Sequence, residues 1–381
     1  MIPLSVPHLA GNENKYVKDC IDTGWISSAG SYVNKFEEAI QNYSRVKHAI
    51  ACMNGTVGIQ TCLSLLNVKE NDIVITTNLT FVATLNAISY TKAKPLLFDI
   101  NKSTWQIDLE LVDNWLAENT FLDDSSLNPV CRLNDTKQKV AAIVPVYVLG
   151  ALVDIAKLIS ISEKYHIPIV EDSTEALGST YKGKSAGTFG KLGVFSFNGN
   201  KIISTGGGGM IVTNDELLSK KAKHITTTAK TDPLDYFHDE IGYNYRLVNV
   251  LAAIGVAQME NFPLILSRKK QIDHTYREEL STISEIIFQD HIEDSDPNCW
   301  LFTFRTPRMR KLLEHLNNNG IQSRPFWTPM NRLPMYSNLK YINNSDVTGK
   351  IFSECISIPS SSNLTEIQQE EVINKIKRFY H

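Results

Sequence analysis

The chain has 381 residues, of which 43% are hydrophobic and 21% are charged. This balance is that of a folded globular protein and excludes a disordered or fibrous one. Lysine and arginine number 38 against 41 acidic residues, so the net charge of −3 excludes the basic surface that nucleic-acid binding requires.

Six cysteines are spread along the chain without a Cys-x-x-Cys pair, which argues against a zinc site or a dithiol redox motif. Residues 1–4 show no signal-peptide pattern, and we find no apolar run of the roughly 18 residues that a membrane helix needs. We therefore expect free thiols in a soluble cytoplasmic protein that holds no metal and binds neither membranes nor nucleic acid.

Short apolar runs alternate with amphipathic segments through the first two-thirds of the chain. The predicted strands are residues 73–76, 95–99, 140–146, 168–171, 193–197 and 209–213. The helices predicted between them include residues 56–66, 81–90, 109–118 and 155–165. This alternation predicts a mostly parallel α/β sheet, and the polar residues 123–139 predict a surface excursion.

The pattern changes after a predicted helix at residues 248–259, which Pro263 follows. Beyond it we predict helices at 267–282, 308–319 and 365–379, with strand-like segments at 285–289 and 300–306. A smaller α+β domain fits this pattern. We therefore divide the chain into a large domain, residues 1–261, and a small domain, residues 262–381.

Lys201 follows an apolar strand and precedes the run Gly206–Gly209, where the backbone must turn tightly. A lysine placed in this way can form a Schiff base with a carbonyl cofactor, and Ser196 can bind a phosphate. For a lone lysine, a surface position beside a flexible loop is the simpler interpretation. The run is not an ATP phosphate loop, because the lysine comes before the glycines, and the fingerprint of a dinucleotide-binding fold is missing.

Asp172 ends another apolar strand, at the sheet edge where open α/β folds carry their sites. A buried carboxylate there can stabilise the protonated ring nitrogen of pyridoxal phosphate. Helix capping by Asp172 and Ser173 is an equal alternative for this motif alone.

Two weaker motifs precede these. Gly55-Thr56 opens a predicted helix, whose N–H groups and dipole suit an anion such as a cofactor phosphate. Phe81 follows a predicted strand, where its ring can stack on a planar cofactor, although a place in the core is the commoner one.

In this combination and order, the chain closely resembles the pyridoxal phosphate sugar aminotransferases of the DegT/DnrJ family over nearly its whole length. The segments that carry the resemblance are Asn54-Gly55-Thr56, residues 80–84, Glu171-Asp172 with residues 175–178, residues 196–201 and residues 242–246.

The resemblance implies the fold-type-I aminotransferase architecture, with a large, mostly parallel α/β/α sheet domain and a smaller C-terminal α+β domain. It also implies an obligate homodimer with shared active sites, in which Lys201 forms the Schiff base with pyridoxal phosphate and Asp172 partners the ring nitrogen. The other residues expected to bind the cofactor are Gly55, Thr56, Phe81, Glu175, Ser196, Asn198 and Asn244. Asn244 is expected to reach the phosphate of the neighbouring subunit; otherwise it is an ordinary polar loop residue.

Within the family, the chain is most similar to 4-aminotransferases of bacillosamine and legionaminic acid pathways, in residues 7–13, 24–30, 254–260 and 323–327. We expect it to transfer the amino group of L-glutamate to C4 of a nucleotide-linked 4-keto-6-deoxy sugar, with UDP-2-acetamido-2,6-dideoxy-4-keto-hexose as the first candidate. The alternatives are a GDP-linked sugar, a sugar dehydratase and a non-enzymatic regulator. Lys201 argues against the last two, since dehydratases of this family lack lysine at that position.

Substrate recognition is the least specified part of the site. A sugar nucleotide carries a diphosphate, for which Arg324 is the best cation, and Trp25 and Trp327 are platforms for the sugar or base. Ser27 is a further candidate for substrate binding, because it lies in the segment 24–30 that carries the resemblance. Tyr147 and Met330-Asn331 replace residues that relatives often carry as histidine, and we expect both positions to lie near the substrate.

Overall fold

The computed structural model describes residues 1–125, 127–232 and 234–381. Its helices are α1 (Glu13–Asp22), α2 (Ser31–Ser44), α3 (Gly55–Leu65), α4 (Ala83–Tyr90), α5 (Leu109–Asn119), α6 (Ile155–Tyr165), α7 (Glu216–Thr226), α8 (Asn249–Leu280), α9 (Met309–Asn318), α10 (Val347–Glu354) and α11 (Glu366–Tyr380). Short 3-10 turns lie at Val148–Gly150, Met330–Arg332 and Pro334–Tyr336.

The strands follow the same chain order. They are β1 (His48–Cys52), β2 (Ile73–Thr77), β3 (Lys94–Phe98), β4 (Thr120–Asp123), β5 (Val130–Leu133), β6 (Val140–Val144), β7 (Val170–Asp172), β8 (Thr180–Tyr181), β9 (Lys184–Ser185), β10 (Leu192–Ser196), β11 (Gly209–Thr213), β12 (Lys230–Asp232), β13 (Phe237–His238), β14 (Ile287–Phe288), β15 (Ser295–Asp296), β16 (Phe302–Arg305), β17 (Arg324–Pro325), β18 (Tyr341–Ile342) and β19 (Cys355–Ile358).

The large sheet has two halves, in the orders β18-β3-β2-β6 and β7-β10-β11-β1. Parallel bridges from Ile143 to Ile169 and from Val146 to Asp172 join β6 to β7. β11 alone runs antiparallel to its neighbours in this sheet. The mostly parallel sheet is therefore confirmed, and each of the six strands predicted from the sequence lies in it.

Helices cover both faces of this sheet, because its strands are apolar on both sides. On β2, Ile75 packs with α5 and α6, whereas its neighbour Val74 packs with α3 and α4. A third apolar cluster joins α2 and α8 to β1, β10 and β11. With both faces covered, the edge of the sheet at the strand ends is left for a site.

Helix α8 is a single helix of 32 residues with Pro263 inside it, so the prediction of two helices, at 248–259 and 267–282, is wrong. Proline removes a helix hydrogen bond and costs about 3 kcal/mol. Phe262 and Ile265, on either side of it, are buried in the cluster with α2. This packing keeps the helix continuous.

Helix α8 is also long and apolar enough to cross a membrane by composition, with a mean hydropathy of 1.4 over one 18-residue window. The sequence prediction had found no such segment. In the fold α8 packs against α1 and α2, and a Cβ on Gly255 would lie 2.7 Å from the ring of Phe36. These contacts make α8 the central helix of a core.

The C-terminal region forms a second core around the antiparallel sheet β14-β16-β19-β17, packed by α9, α11 and the end of α8. An α+β arrangement is thus confirmed there. The chain crosses between the two cores: Ile2 packs in the second one, and β18 pairs with β3 of the large sheet. A boundary between residues 261 and 262 would fall inside α8 and remains a prediction.

Residues 123–139 are more ordered than predicted, although Ser126 lies outside the described residues. β4 and β5 form an antiparallel hairpin, and Arg132 binds Asp123 at 2.6 Å. Cys131 on β5 is buried in the core. Leu133, on the same strand, packs against this core as well, and the polar composition of the segment hid both residues. All six cysteines are free, and five of them are buried.

Candidate active site

A cavity of about 290 Å³ opens where β7 and β10 end and α3 begins. Asp172 is the last residue of β7, and Ser196 is the last residue of β10. Parallel strands bring their carboxyl ends to one edge, which is where open α/β sheets hold ligands. The sheet thus brings together two of the motifs singled out in the sequence.

Lys201 lies on the wall of this cavity with its side chain 12% exposed. Its Nζ is 3.7 Å from Oε1 of Glu175, and the N–H of Leu149 donates to Oε2 of the same carboxyl at 2.8 Å. Burial raises the pKa of Glu175 to about 7, although the charge of Lys201 opposes that rise. Glu175 can therefore gain or lose a proton near neutral pH, beside the lysine amine.

Asp172 is buried at the base of the cavity. Its Oδ2 accepts a hydrogen bond from the Thr84 hydroxyl at 2.7 Å, and its Oδ1 accepts one from the N–H of Thr174 at 3.2 Å. Thr80 lies 2.9 Å from Thr84 and extends this chain of hydroxyls. In the described chain no helix starts at Asp172, so the capping alternative is wrong and the carboxylate is held toward the cavity.

The opposite end of the cavity suits an anion. Asn54 caps α3 through a hydrogen bond from the N–H of Val57, and the first N–H groups of a helix lack partners within it. A Cβ on Gly55 would lie 2.8 Å from Cγ2 of Thr174 and 3.1 Å from Cβ of Ser196. With the hydroxyls of Thr56 and Ser196 on the lining, this end is a cradle that only glycine leaves open.

The glycine run serves close packing of the backbone. A Cβ on Gly209 would lie 2.5 Å from the carbonyl carbon of Asn54, so a side chain there would push β11 away from the start of α3. Gly206 has a φ of +82° in the turn before β11. The run therefore shapes the cradle from behind, as the sequence predicts when it requires a tight turn with room around it.

Aromatic rings form the remaining wall. Phe81 is 53% exposed and lines the cavity, so it is not a core residue. Its ring lies edge-on to Trp327 at 6.4 Å, and Trp327 stacks against Trp300 at 6.4 Å and 22°. Trp300 was missed by the sequence analysis, because a tryptophan that leads into an apolar strand is expected in the core.

The other predicted binding residues divide by position. Asn198 lines the cavity. Of the described residues, Trp25, Ser27, Arg324 and Asn244 are exposed and lie outside this cavity. Their roles stay predictions, since one chain alone does not bring them to the site.

Among the described residues, Tyr147, Met330 and Asn331 do not line the cavity. Tyr147 is fully buried, and its hydroxyl donates to Glu171 at 2.7 Å. The amide of Asn78 donates to Asn331 at 3.0 Å. The proximity of Tyr147, Met330 and Asn331 to the substrate stays a prediction.

Away from the cavity, His224, Asp239 and Glu240 place a ring nitrogen and two carboxylates within 4.8 Å of one another. His224 binds Asp239 at 2.7 Å, and Glu240 pairs with Lys221. These contacts satisfy the cluster within the chain.

Known proteins match the whole chain. The model of the DegT/DnrJ/EryC1/StrS aminotransferase family matches residues 7–377. EpsN of Bacillus subtilis (strain 168) is 36% identical over 386 residues, which cover 100% of this chain and 96% of EpsN. The name of EpsN assigns it, by inference, to the pyridoxal phosphate-dependent aminotransferases. The GDP-perosamine synthase of Escherichia coli O157:H7 is 35% identical over 384 residues, which cover 100% of this chain and 98% of the synthase.

Solved structures agree in fold. PseC of Helicobacter pylori, an aminotransferase involved in the biosynthesis of pseudoaminic acid, superposes with a TM-score of 0.88 at 24% identity, over 100% of this chain and 99% of PseC. TlmJ of Streptoalloteichus hindustanus, an aminotransferase, superposes with a TM-score of 0.89 at 22% identity, over 99% of this chain and 98% of TlmJ. The predicted fold-type-I architecture is confirmed.

Proposed function

Because this chain belongs to the DegT/DnrJ/EryC1/StrS aminotransferase family, whose members depend on pyridoxal phosphate, we propose that it transfers the amino group of L-glutamate to C4 of a nucleotide-linked 4-keto-6-deoxy sugar. The observation that carries the proposal is the cavity that joins Lys201, Asp172 and the cradle at Gly55. Sugar chemistry is supported by full-length relatives such as the GDP-perosamine synthase.

The residues present fit pyridoxal phosphate. The space above Gly55, which a Cβ would fill, together with the start of α3 and the hydroxyls of Thr56 and Ser196, would hold the phosphate. Asp172 would keep the proton on the ring nitrogen, and Phe81 would cover the ring. When bound, the cofactor supplies the carbonyl that accepts the amino group and the ring that takes up an electron pair.

Lys201 would attach the cofactor through Nζ and then act as the general base and acid. Its amine takes the proton from Cα of the amino donor and returns it at the carbon that receives the amino group, a role worth about 10²–10⁴ in rate. Glu175, 3.7 Å away, receives or supplies the proton that Nζ exchanges. The aromatic wall limits the access of water to these groups.

A homodimer with shared sites is the assembly that we propose. Asn244 is exposed and does not reach the described cavity of its own chain, so a role at the phosphate requires the neighbouring subunit. The segment just before it exposes apolar side chains at Leu234, Tyr236, Phe237 and Ile241. Exposed apolar surface of this kind marks an interface.

Two nucleotide sugars are candidate substrates. The motif likeness favours UDP-2-acetamido-2,6-dideoxy-4-keto-hexose, for surface glycan or nonulosonic acid synthesis. The similarity to the GDP-perosamine synthase of Escherichia coli O157:H7 favours a GDP-linked 4-keto sugar. We propose the cytoplasm as the compartment, since free thiols suit a reducing environment. Trp327 on the cavity wall is the proposed substrate contact.

Two measurements test this proposal. Borohydride reduction of the holoenzyme followed by peptide mapping should label Lys201, and Lys201→Ala should remove the label while the exposed control Lys191→Ala keeps it. Mass spectrometry of products from L-glutamate and a panel of UDP- and GDP-linked 4-keto sugars should show one amino sugar. A label on another lysine would refute the assignment, and loss of a sugar hydroxyl without amine transfer would indicate a dehydratase.

A further inference from the structure

Trp300 contacts Lys201 in two ways. The Nζ of Lys201 lies 4.3 Å from the centre of the indole ring, and the indole N–H donates to the carbonyl of Asn200 at 2.6 Å. One side chain therefore holds both the amine of Lys201 and the peptide that precedes it. Trp300 also lines the cavity.

Trp300 is itself fixed to the segment that carries Glu175. The backbone N–H of Trp300 donates to Oδ1 of Asn298 at 3.0 Å. The side-chain amide of Asn298 in turn donates to the backbone carbonyls of Glu175 at 2.7 Å and Leu177 at 2.8 Å. On the other side, the buried ammonium of Lys269 donates to the carbonyl of Trp300. These bonds fix the backbone of Trp300 relative to Glu175. The bond from the indole N–H to the carbonyl of Asn200 then sets the orientation of the ring.

We propose that Trp300 is a positioning residue, which holds the amine of Lys201 between its ring face and Glu175; the inference rests on the proposed role of Lys201. A lysine has a long flexible stem, and the distance of 3.7 Å to Glu175 is longer than a hydrogen bond. The ring face attracts the ammonium through its quadrupole without offering a lone pair. The amine is thus kept in place and still available to react.

A second buried tryptophan shows that this arrangement is more than core packing. Trp105 is completely buried, and its indole nitrogen has no hydrogen-bond partner in the described chain. Trp300, by contrast, directs its N–H to the residue before Lys201 and its face to Lys201 itself. The two contacts end on adjacent residues, Asn200 and Lys201.

The test compares Trp300→Leu with Trp300→Phe, which keeps a ring face. Trp115→Leu is the matched control, because the ammonium of Lys340 lies 5.1 Å from the Trp115 ring centre, in a contact remote from the cavity. In cofactor-free protein at one fixed pH, acetylation of Lys201 by acetic anhydride, followed by mass spectrometry, should be about fivefold faster in Trp300→Leu than in wild type, since the ring no longer holds the amine.

In holoenzyme, Trp300→Leu should lower kcat by about 10- to 100-fold, because a displacement of about 1 Å in a reacting group has effects of this size. The KM for L-glutamate should change less than about threefold, since the lost contact positions Lys201 and leaves substrate binding alone. Trp300→Phe should recover most of kcat and return the acetylation rate toward the wild-type value. Trp300→Met carries the same expectations as leucine if the leucine variant does not fold.

The outcomes are distinguishable. Acetylation and kcat that stay at wild-type values in a folded Trp300→Leu or Trp300→Met would overturn the inference, as would a Trp300→Phe variant as impaired as leucine. A rise in KM alone would also overturn it, because it would make Trp300 a substrate contact. If borohydride labels a lysine other than Lys201 in wild type, the proposed function fails first.

Discussion

Two lysines contact Trp300, Lys201 at its ring and Lys269 at its backbone carbonyl, and their surroundings differ. Lys201 lies over the ring of Trp300, faces the cavity and has Glu175 at 3.7 Å. Lys269 is 4% exposed on α8, donates to the carbonyls of Trp300 and Ser360, and forms no ion pair in the described chain. Burial lowers the pKa of Lys269 to about 8.

From this contrast we propose that burial alone does not make a lysine reactive. The amine of Lys269 donates to two backbone carbonyls and so links two distant segments of the fold. Lys201 has an ion-pair partner in Glu175 and open space in front of its amine. Reactivity therefore depends on which acceptors surround the amine and on whether a ligand can reach it.

The largest expected effect is a difference in activity between variants of the two lysines. Lys201→Ala should reduce amino transfer by about 10³-fold or more, because the base that moves the proton is gone. Lys269→Met should keep kcat within about tenfold of wild type, because its amine does not face the cavity. Single-turnover rates with L-glutamate measure both. Equal losses in the two variants would mean that amino transfer depends on both amines alike.

Glu175→Gln tests the difference between the two lysines. Lys201 has Glu175 as an ion-pair partner, whereas Lys269 forms no ion pair in the described chain. The pKa of Glu175 is raised to about 7, so in wild type the carboxylate that accepts a proton from Lys201 is present above pH 7 and is lost as the pH falls through 7. The variant should be about 10- to 100-fold slower at pH 8 and should lose this pH dependence. A pH profile of kcat from 5.5 to 8.5 measures it, and an unchanged inflection near 7 in the variant would assign the titration elsewhere.

Gly55→Ala tests the cavity that Lys201 faces. The added Cβ would meet Thr174 at 2.8 Å, inside the cradle, so pyridoxal phosphate affinity should fall about tenfold while the protein stays folded. Gly207→Ala is the matched control, because a Cβ at Gly207 meets nothing within 4 Å. Spectrophotometric titration of cofactor-free protein gives both affinities. Equal affinity in the two variants would place the phosphate elsewhere.

The sequence predicts one wall of the site better than the other. Gly55 opens helix α3, Asp172 ends strand β7, and Lys201 follows strand β10. The local sequence pattern therefore places all three at the same edge of the large sheet. Trp300 reaches the site through packing between distant segments, which no short motif encodes. Helix α8 shows the same limit: Pro263 predicts a break, and tertiary packing of Phe262 prevents it.

The last expected effect concerns the stability contributed at Lys269. Because its folded pKa, about 8, is below the ordinary value of 10.5, the unfolded chain binds more protons between these two pH values. The contribution of Lys269 to the free energy of unfolding is therefore constant below pH 8. It rises by about 3 kcal/mol in total between pH 8 and 10.5. Urea unfolding of cofactor-free protein between pH 7 and 10 should show this rise in wild type and not in Lys269→Met. The same slope in both proteins would mean that the Lys269 amine titrates as freely as an exposed one, and the contrast with Lys201 would then rest on position alone.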